Sequence, residues 1–107
     1  QACGAELMEV PLVGRQLDMR AMLNALGDRG LTSVYCEGGG AFGASLLDGD
    51  LVDEIVGYTA GLALGAEGQP AIGAMGVSAL AEAPRFTLQS VRAVGADIEH
   101  RWERSAP

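Results

Sequence analysis

Ser33-Val34-Tyr35-Cys36-Glu37-Gly38-Gly39-Gly40-Ala41-Phe42-Gly43 is the most informative segment of the chain. Thr32 to Cys36 is a compact β-branched and aromatic run, short and apolar enough for a buried parallel strand that Glu37 ends. The three glycines then supply a tight turn, and a helix follows through Phe42, Leu46 and Leu47 to Gly49. On the N-terminal side, Asp18 is an N-cap candidate, and Met19, Met22, Leu23 and Leu26 recur at helical spacing until Gly30, a C′ glycine. Before that helix, Leu7 to Val13 reads as a strand despite Glu9 and Pro11, and Gly14 and Arg15 turn the chain. On the C-terminal side, Val52 to Thr59 is a further strand. The order strand, helix, strand, helix, strand implies crossover connections and a parallel sheet.

Gly61 to Val77 carries five glycines and Pro70 and is expected to be an extended loop region. Arg85 to Val94 and Ala96 to Arg104 are alternating runs joined at Gly95, which predicts an antiparallel hairpin at the sheet edge. Phe86, Leu88, Val91 and Val94 do not keep strict parity, so a bulge is expected within that hairpin. There is neither an internal repeat nor a linker, so 1–107 reads as one domain: α/β, a mostly parallel sheet with flanking helices and a C-terminal antiparallel hairpin.

Composition narrows the function classes. Of 107 residues, 49% are apolar and 20% charged, which is globular rather than disordered. The net charge is −7, all seven bases are Arg and Lys is absent. That absence removes Schiff-base lysine chemistry and a P-loop. An acidic chain with scattered arginines is also a poor match for nucleic acid, where clustered cations neutralise phosphates. Two distant cysteines, Cys3 and Cys36, and one histidine, His100, do not make a zinc site, so no metal is expected. Cys36 reads as a reduced, buried thiol of a cytoplasmic protein and His100 as a solvated residue near the chain end. Asp48, Asp50, Asp53 and Glu54 read as solvated helix-end and strand-start residues rather than as metal ligands. No run of about eighteen apolar residues occurs and no basic segment precedes an apolar one, so neither a membrane span nor export is expected. The opening at Gln1 resembles the end of an element already under way, which suggests a fragment of a longer protein.

The chemistry concentrates in the glycine turn. Gly38, Gly40 and Gly43 satisfy G-x-G-x-x-G between a strand and a helix, where bare backbone N–H groups and the positive helix end can hold a pyrophosphate. The acid that would grip a ribose 2′-hydroxyl is missing, because the next strand ends at Tyr58, Thr59 and Ala60. A tight turn that needs glycine only for packing satisfies the same pattern. Glu37 stands at the carboxyl end of a strand, where open α/β sheets bind ligands; it could equally accept N–H bonds from the glycine turn.

Six segments in order resemble one family: Asp18 with its helix to Gly30, S-V-Y-C-E-G-G from Ser33, L-V-D-E-I from Leu51, G-A-E-G from Gly65, A-P-R-F from Ala83 and V-G-A-D from Val94. Together they resemble the C-terminal reductase domain of the bifunctional riboflavin-biosynthesis deaminase/reductase. Gly61 departs from the pattern, standing where a proline is expected, and the family's zinc deaminase domain and the first half of its reductase domain have no counterpart here. The resemblance implies a dihydrofolate-reductase-like α/β fold, a homodimer through this domain, and NADPH-dependent reduction of the phosphoribosylamino pyrimidine to its ribitylamino form, with hydride passing to ribose C1′. It also implies that Glu37 contacts substrate and that Gly39, Gly40, Ala41, Phe42, Gly43, Ala44 and Ser45 line the NADPH phosphates. Catalytic residues are not implied by any segment present. Two other classes fit the sequence: a non-catalytic α/β subunit-contact or regulatory module, and a hydrolase, which lacks the G-x-S-x-G elbow.

Overall fold

A computed structural model describes residues 3–106. The chain divides into two units, residues 1–37 and residues 38–107, each considered by itself.

In the first unit, β1 (Leu12–Val13) and β2 (Gln16–Leu17) form a two-residue hairpin with Val13 opposite Gln16. Gly14 in its turn has φ 64°, a left-handed conformation that glycine adopts without a Cβ clash. The strand expected over Leu7–Val13 is therefore reduced to its last two residues. Pro11 explains the stop, because it has no N–H to give to a ladder, although its carbonyl accepts from Asp18 N at 2.8 Å. Helix α1 (Met19–Asp28) follows as expected, with the Asp18 carboxylate accepting from Ala21 N at 3.0 Å. Met19, Met22, Leu23 and Leu26 form its half-buried stripe, while Arg20, Asn24 and Asp28 are exposed. A Schellman motif ends it: Leu31 N donates to Leu26 O at 3.1 Å and Gly30 N to Gly27 O at 2.9 Å, with Gly30 at φ 87°.

The expected strand at Thr32–Cys36 is absent. Residues 31–39 carry no regular structure and are exposed, Cys36 included, which corrects the reading of Cys36 as a buried thiol. An apolar β-branched run becomes a strand only against a partner, and no neighbouring strand among the described residues pairs with this one.

In the second unit, α2 (Gly40–Asp48) starts at the glycine turn as the sequence indicates. It too ends in a Schellman motif, with Leu51 N donating to Leu46 O at 3.0 Å and Asp50 N to Leu47 O at 3.1 Å. Asp50 takes the left-handed position at φ 56°. Ala44, Leu46 and Leu47 are the buried apolar side chains of this unit. Strands β3 (Glu54–Thr59), β4 (Phe86–Val94) and β5 (Asp97–Arg104) form a sheet in the order β3-β5-β4. Both pairings are antiparallel, so the mostly parallel sheet expected from the alternation is not what forms: both sheets among the described residues are antiparallel. The parallel arrangement depended on a ladder at Thr32–Cys36, and without it β3 pairs, among the described residues, with β5 alone.

The C-terminal hairpin matches its sequence reading closely. Val94 pairs with Asp97 around the two-residue loop Gly95–Ala96, and Gly95 has φ 58°. The predicted register break lies between Leu88, opposite Trp102, and Ser90, opposite Arg101, which leaves Gln89 as the extra residue. Between β3 and β4 the chain has only the 3-10 turns Gly65–Glu67 and Leu80–Glu82. Arg104 ties β5 to the connection after α2: its N–H donates to Asp53 O at 2.8 Å, Nη2 to Asp53 Oδ1 at 2.8 Å and Nη1 to Asp50 O at 2.6 Å. No helix among the described residues is long and apolar enough to cross a membrane.

Candidate functional site

The first turn of α2 is shaped by its glycines, and they differ in what they do. Gly40 is a close-approach residue. A Cβ there would stand 2.8 Å from Pro70 O and 3.2 Å from Ala71 O. Gly73 N donates to Gly40 O at 2.9 Å, so the Pro70–Gly73 loop lies directly against the start of the helix. Gly39 and Gly43 have nothing within 4 Å of where a Cβ would stand. Internal packing therefore accounts for Gly40 and leaves the bareness of Gly39 and Gly43 unexplained.

Gly39 is the N-cap and has no side chain to cap the helix. Its carbonyl accepts from Gly43 N at 3.0 Å, and the N–H groups of Gly40, Ala41 and Phe42 form the first turn, where the helix provides no acceptor. No acid occupies that turn. Gly39 and Ala41 are exposed, Gly40, Phe42, Gly43 and Ser45 are half-buried, and the Ser45 hydroxyl donates to Ala41 O at 3.1 Å. Ala44, 3% exposed, is turned into the core beside Leu46 and Leu47 and supports the turn by packing. Bare backbone, unfilled donors and the positive end of the helix dipole fit a phosphate group. Glu37, exposed, lies one residue before the turn begins.

Sequence reading missed a second polar constellation. Glu99, only 2% exposed, is the buried charged residue of the described chain. Its Oε1 accepts from Arg92 Nε at 2.9 Å and Arg101 Nε at 3.0 Å, and its Oε2 from Tyr58 Oη at 2.8 Å and Arg92 Nη2 at 3.2 Å. Four donors fill the roughly four lone-pair sites of a carboxylate. Hydrogen bonds from Arg92, then Tyr58, then Arg101 hold its carboxyl down at about 2, and burial opposes them. The same bonds raise both arginines above their ordinary value. Arg92 and Glu99 stand equidistant from the Gly95–Ala96 turn in the sequence, which is the signal that pairs them once a two-residue loop is assumed.

His100 also departs from expectation. Rather than a solvated terminal residue, it is half-buried in the central strand, where its Nδ1 accepts from Trp102 Nε1 at 2.8 Å. Its ring occupies the space above Gly57, where a Cβ would come within 2.8 Å of Nε2. Asp50 and Asp53 are engaged by Arg104, and Glu54 accepts from Arg101 at 3.3 Å.

The family model described as the RibD C-terminal domain matches residues 3–99. "Riboflavin biosynthesis protein RibD" of Escherichia coli strain K12 is 33% identical over 82 residues, covering 77% of this chain and 22% of the relative. The Haemophilus influenzae protein of the same name is 30% identical over 81 residues, covering 76% of this chain and 22% of its own length. Among solved structures, Acinetobacter baumannii RibD, form 1, superposes with a TM-score of 0.70 at 23% identity over 89% of this chain and 26% of that one. Form 2 gives 0.59 at 28% identity over 64% and 19%. This chain spans about a fifth of the length of the curated relatives it matches, and it belongs to the RibD C-terminal domain family.

Proposed function

We propose that this chain is the cofactor-binding part of an NADPH-dependent reductase of riboflavin biosynthesis. In this reading it belongs to a dihydrofolate-reductase-like α/β domain within a longer enzyme that acts in the cytoplasm as a homodimer. The substrate is 5-amino-6-(5-phosphoribosylamino)uracil, reduced to the ribitylamino form. The observation that carries the proposal is the open first turn of α2, where Gly39 and Gly43 are bare without any packing need.

In this reading the N–H groups of Gly40, Ala41 and Phe42 bind the NADPH phosphates, and Gly39 and Gly43 let the pyrophosphate approach the backbone. Ser45 stands one turn on, and Ala44 fixes the turn to the core. NADPH held there would supply hydride for ribose C1′, whose bond to O4′ would open as O4′ takes up a proton. Glu37 accepts hydroxyl hydrogen bonds from the substrate and orients its sugar.

Grafting residues 3–99 in place of the corresponding segment of a RibD reductase tests the reading. NADPH oxidation dependent on the pyrimidine substrate is expected. A folded graft without turnover and without NADPH affinity contradicts it.

A further inference from the structure

The bulge at Gln89 reconciles two demands on the same strand. On the turn side, Arg92 pairs with Glu99 and Val91 with His100; on the other side, Leu88 pairs with Trp102 and Phe86 with Arg104. Residues directly opposite in an antiparallel pair share a face. The bulge thus places Arg92 with Glu99, Arg101 and Tyr58 on one face, and Phe86, Leu88 and Val91 with His100 and Trp102 on the other.

An unbulged hairpin has to give up one of these sets. If the ladder continues unbroken from Leu88 opposite Trp102, Val91 falls opposite Glu99 and Arg92 opposite Ile98. The loop then becomes the three residues Val94, Gly95 and Ala96, a common hairpin length. That register costs nothing on the apolar side near Phe86. What it forfeits is the two-pronged, charge-assisted contact by which Arg92, itself 64% exposed, covers the Glu99 carboxylate, and such bidentate pairs are the stronger kind of hydrogen bond.

We propose that Glu99 is a register lock: its charge, bound by Arg92, holds β4 in the bulged pairing, and without that charge β4 slides one residue along β5. The charged or titratable groups sharing its face are Tyr58 and Glu54 from β3, Arg92 from β4, and Asp97, Arg101 and Glu103 from β5. Of the donors that bind Glu99, only Arg92 lies on β4 and changes faces in the slide. The slide would carry Arg92 to the face of His100 and Trp102, so the lock also determines which surface this edge strand presents.

Cross-strand NMR contacts in the intact chain test the lock. Glu99→Gln and Arg92→Leu are each expected to raise the register with Val91 opposite position 99 from undetectable to at least about a tenth of the molecules. Arg101→Gln removes a bond to the same carboxylate from within β5 and is expected to leave the native contacts alone. The proposal is overturned if Glu99→Gln keeps only the native contacts or loses β4–β5 pairing altogether. It is equally overturned if Arg101→Gln shifts the register as Arg92→Leu does.

Discussion

Gly73 donates its N–H to the carbonyl of Gly40 at 2.9 Å, so an irregular loop more than twenty residues downstream is bonded to the turn that opens α2. The turn's shape depends on this contact, because a Cβ on Gly40 would meet the Pro70 carbonyl at 2.8 Å. A methyl group at position 40 must push either the loop or the helix start aside. Gly40→Ala is expected to destabilise the chain by about 1–3 kcal/mol. Thermal melting followed by circular dichroism measures this directly, and an unchanged midpoint would mean that the loop does not rest on the turn.

Glu99 predicts an acid dependence. Its folded carboxyl titrates at about 2, against an ordinary 4.5, chiefly because of Arg92 and then Tyr58 and Arg101. A depressed carboxyl contributes stability that is fully present above 4.5 and lost as pH falls toward about 2. Urea midpoints taken across that range should fall in the native chain and fall less in Glu99→Gln. Parallel curves would remove Glu99 from the acid response.

Asp18 caps α1 through a single 3.0 Å bond to Ala21 N. Asp18→Ala is expected to cost about 1 kcal/mol of helix stability. Faster amide exchange at Ala21 and Met22 would report it, and unchanged exchange would show that the cap is dispensable.

Gly57 leaves room for the His100 ring, which in turn accepts from the Trp102 indole. Gly57→Ala should displace His100 and break that bond, shifting Trp102 emission. An unaltered spectrum would place the imidazole elsewhere.

Local signals in the sequence predicted the local structure well. Asp18, Gly30 and the Met19 to Leu26 stripe defined α1, the triple glycine and Gly49 bracketed α2, and broken parity at Phe86, Leu88 and Val91 located a bulge. Pairing was less legible. Thr32–Cys36 has the composition of a buried strand, but composition does not supply a neighbour, and the run is exposed and lies outside the ladders among the described residues. The glycine motif was visible, yet its spacing could not separate Gly40, held by packing, from Gly39, which is not. The Glu99 cluster joins residues from three strands and became visible only once the register was known.

Glu37 stands outside the glycine turn, and the function we propose gives it to the substrate. In the grafted reductase, Glu37→Gln is expected to impair turnover or raise the substrate KM while NADPH affinity is kept. Weakened NADPH binding with normal substrate kinetics would reverse the assignment.

The cofactor assignment is tested most directly at Gly39, because a Cβ there would have no protein atom beyond its chain neighbours within 4 Å. NADPH titrated against the chain, followed by nicotinamide fluorescence, should bind saturably. Gly39→Val should weaken that binding at least tenfold, about 1.4 kcal/mol, with the fold intact by circular dichroism. Equal affinity in the two proteins, or no saturable binding in the native chain, would contradict the cofactor site at the start of α2.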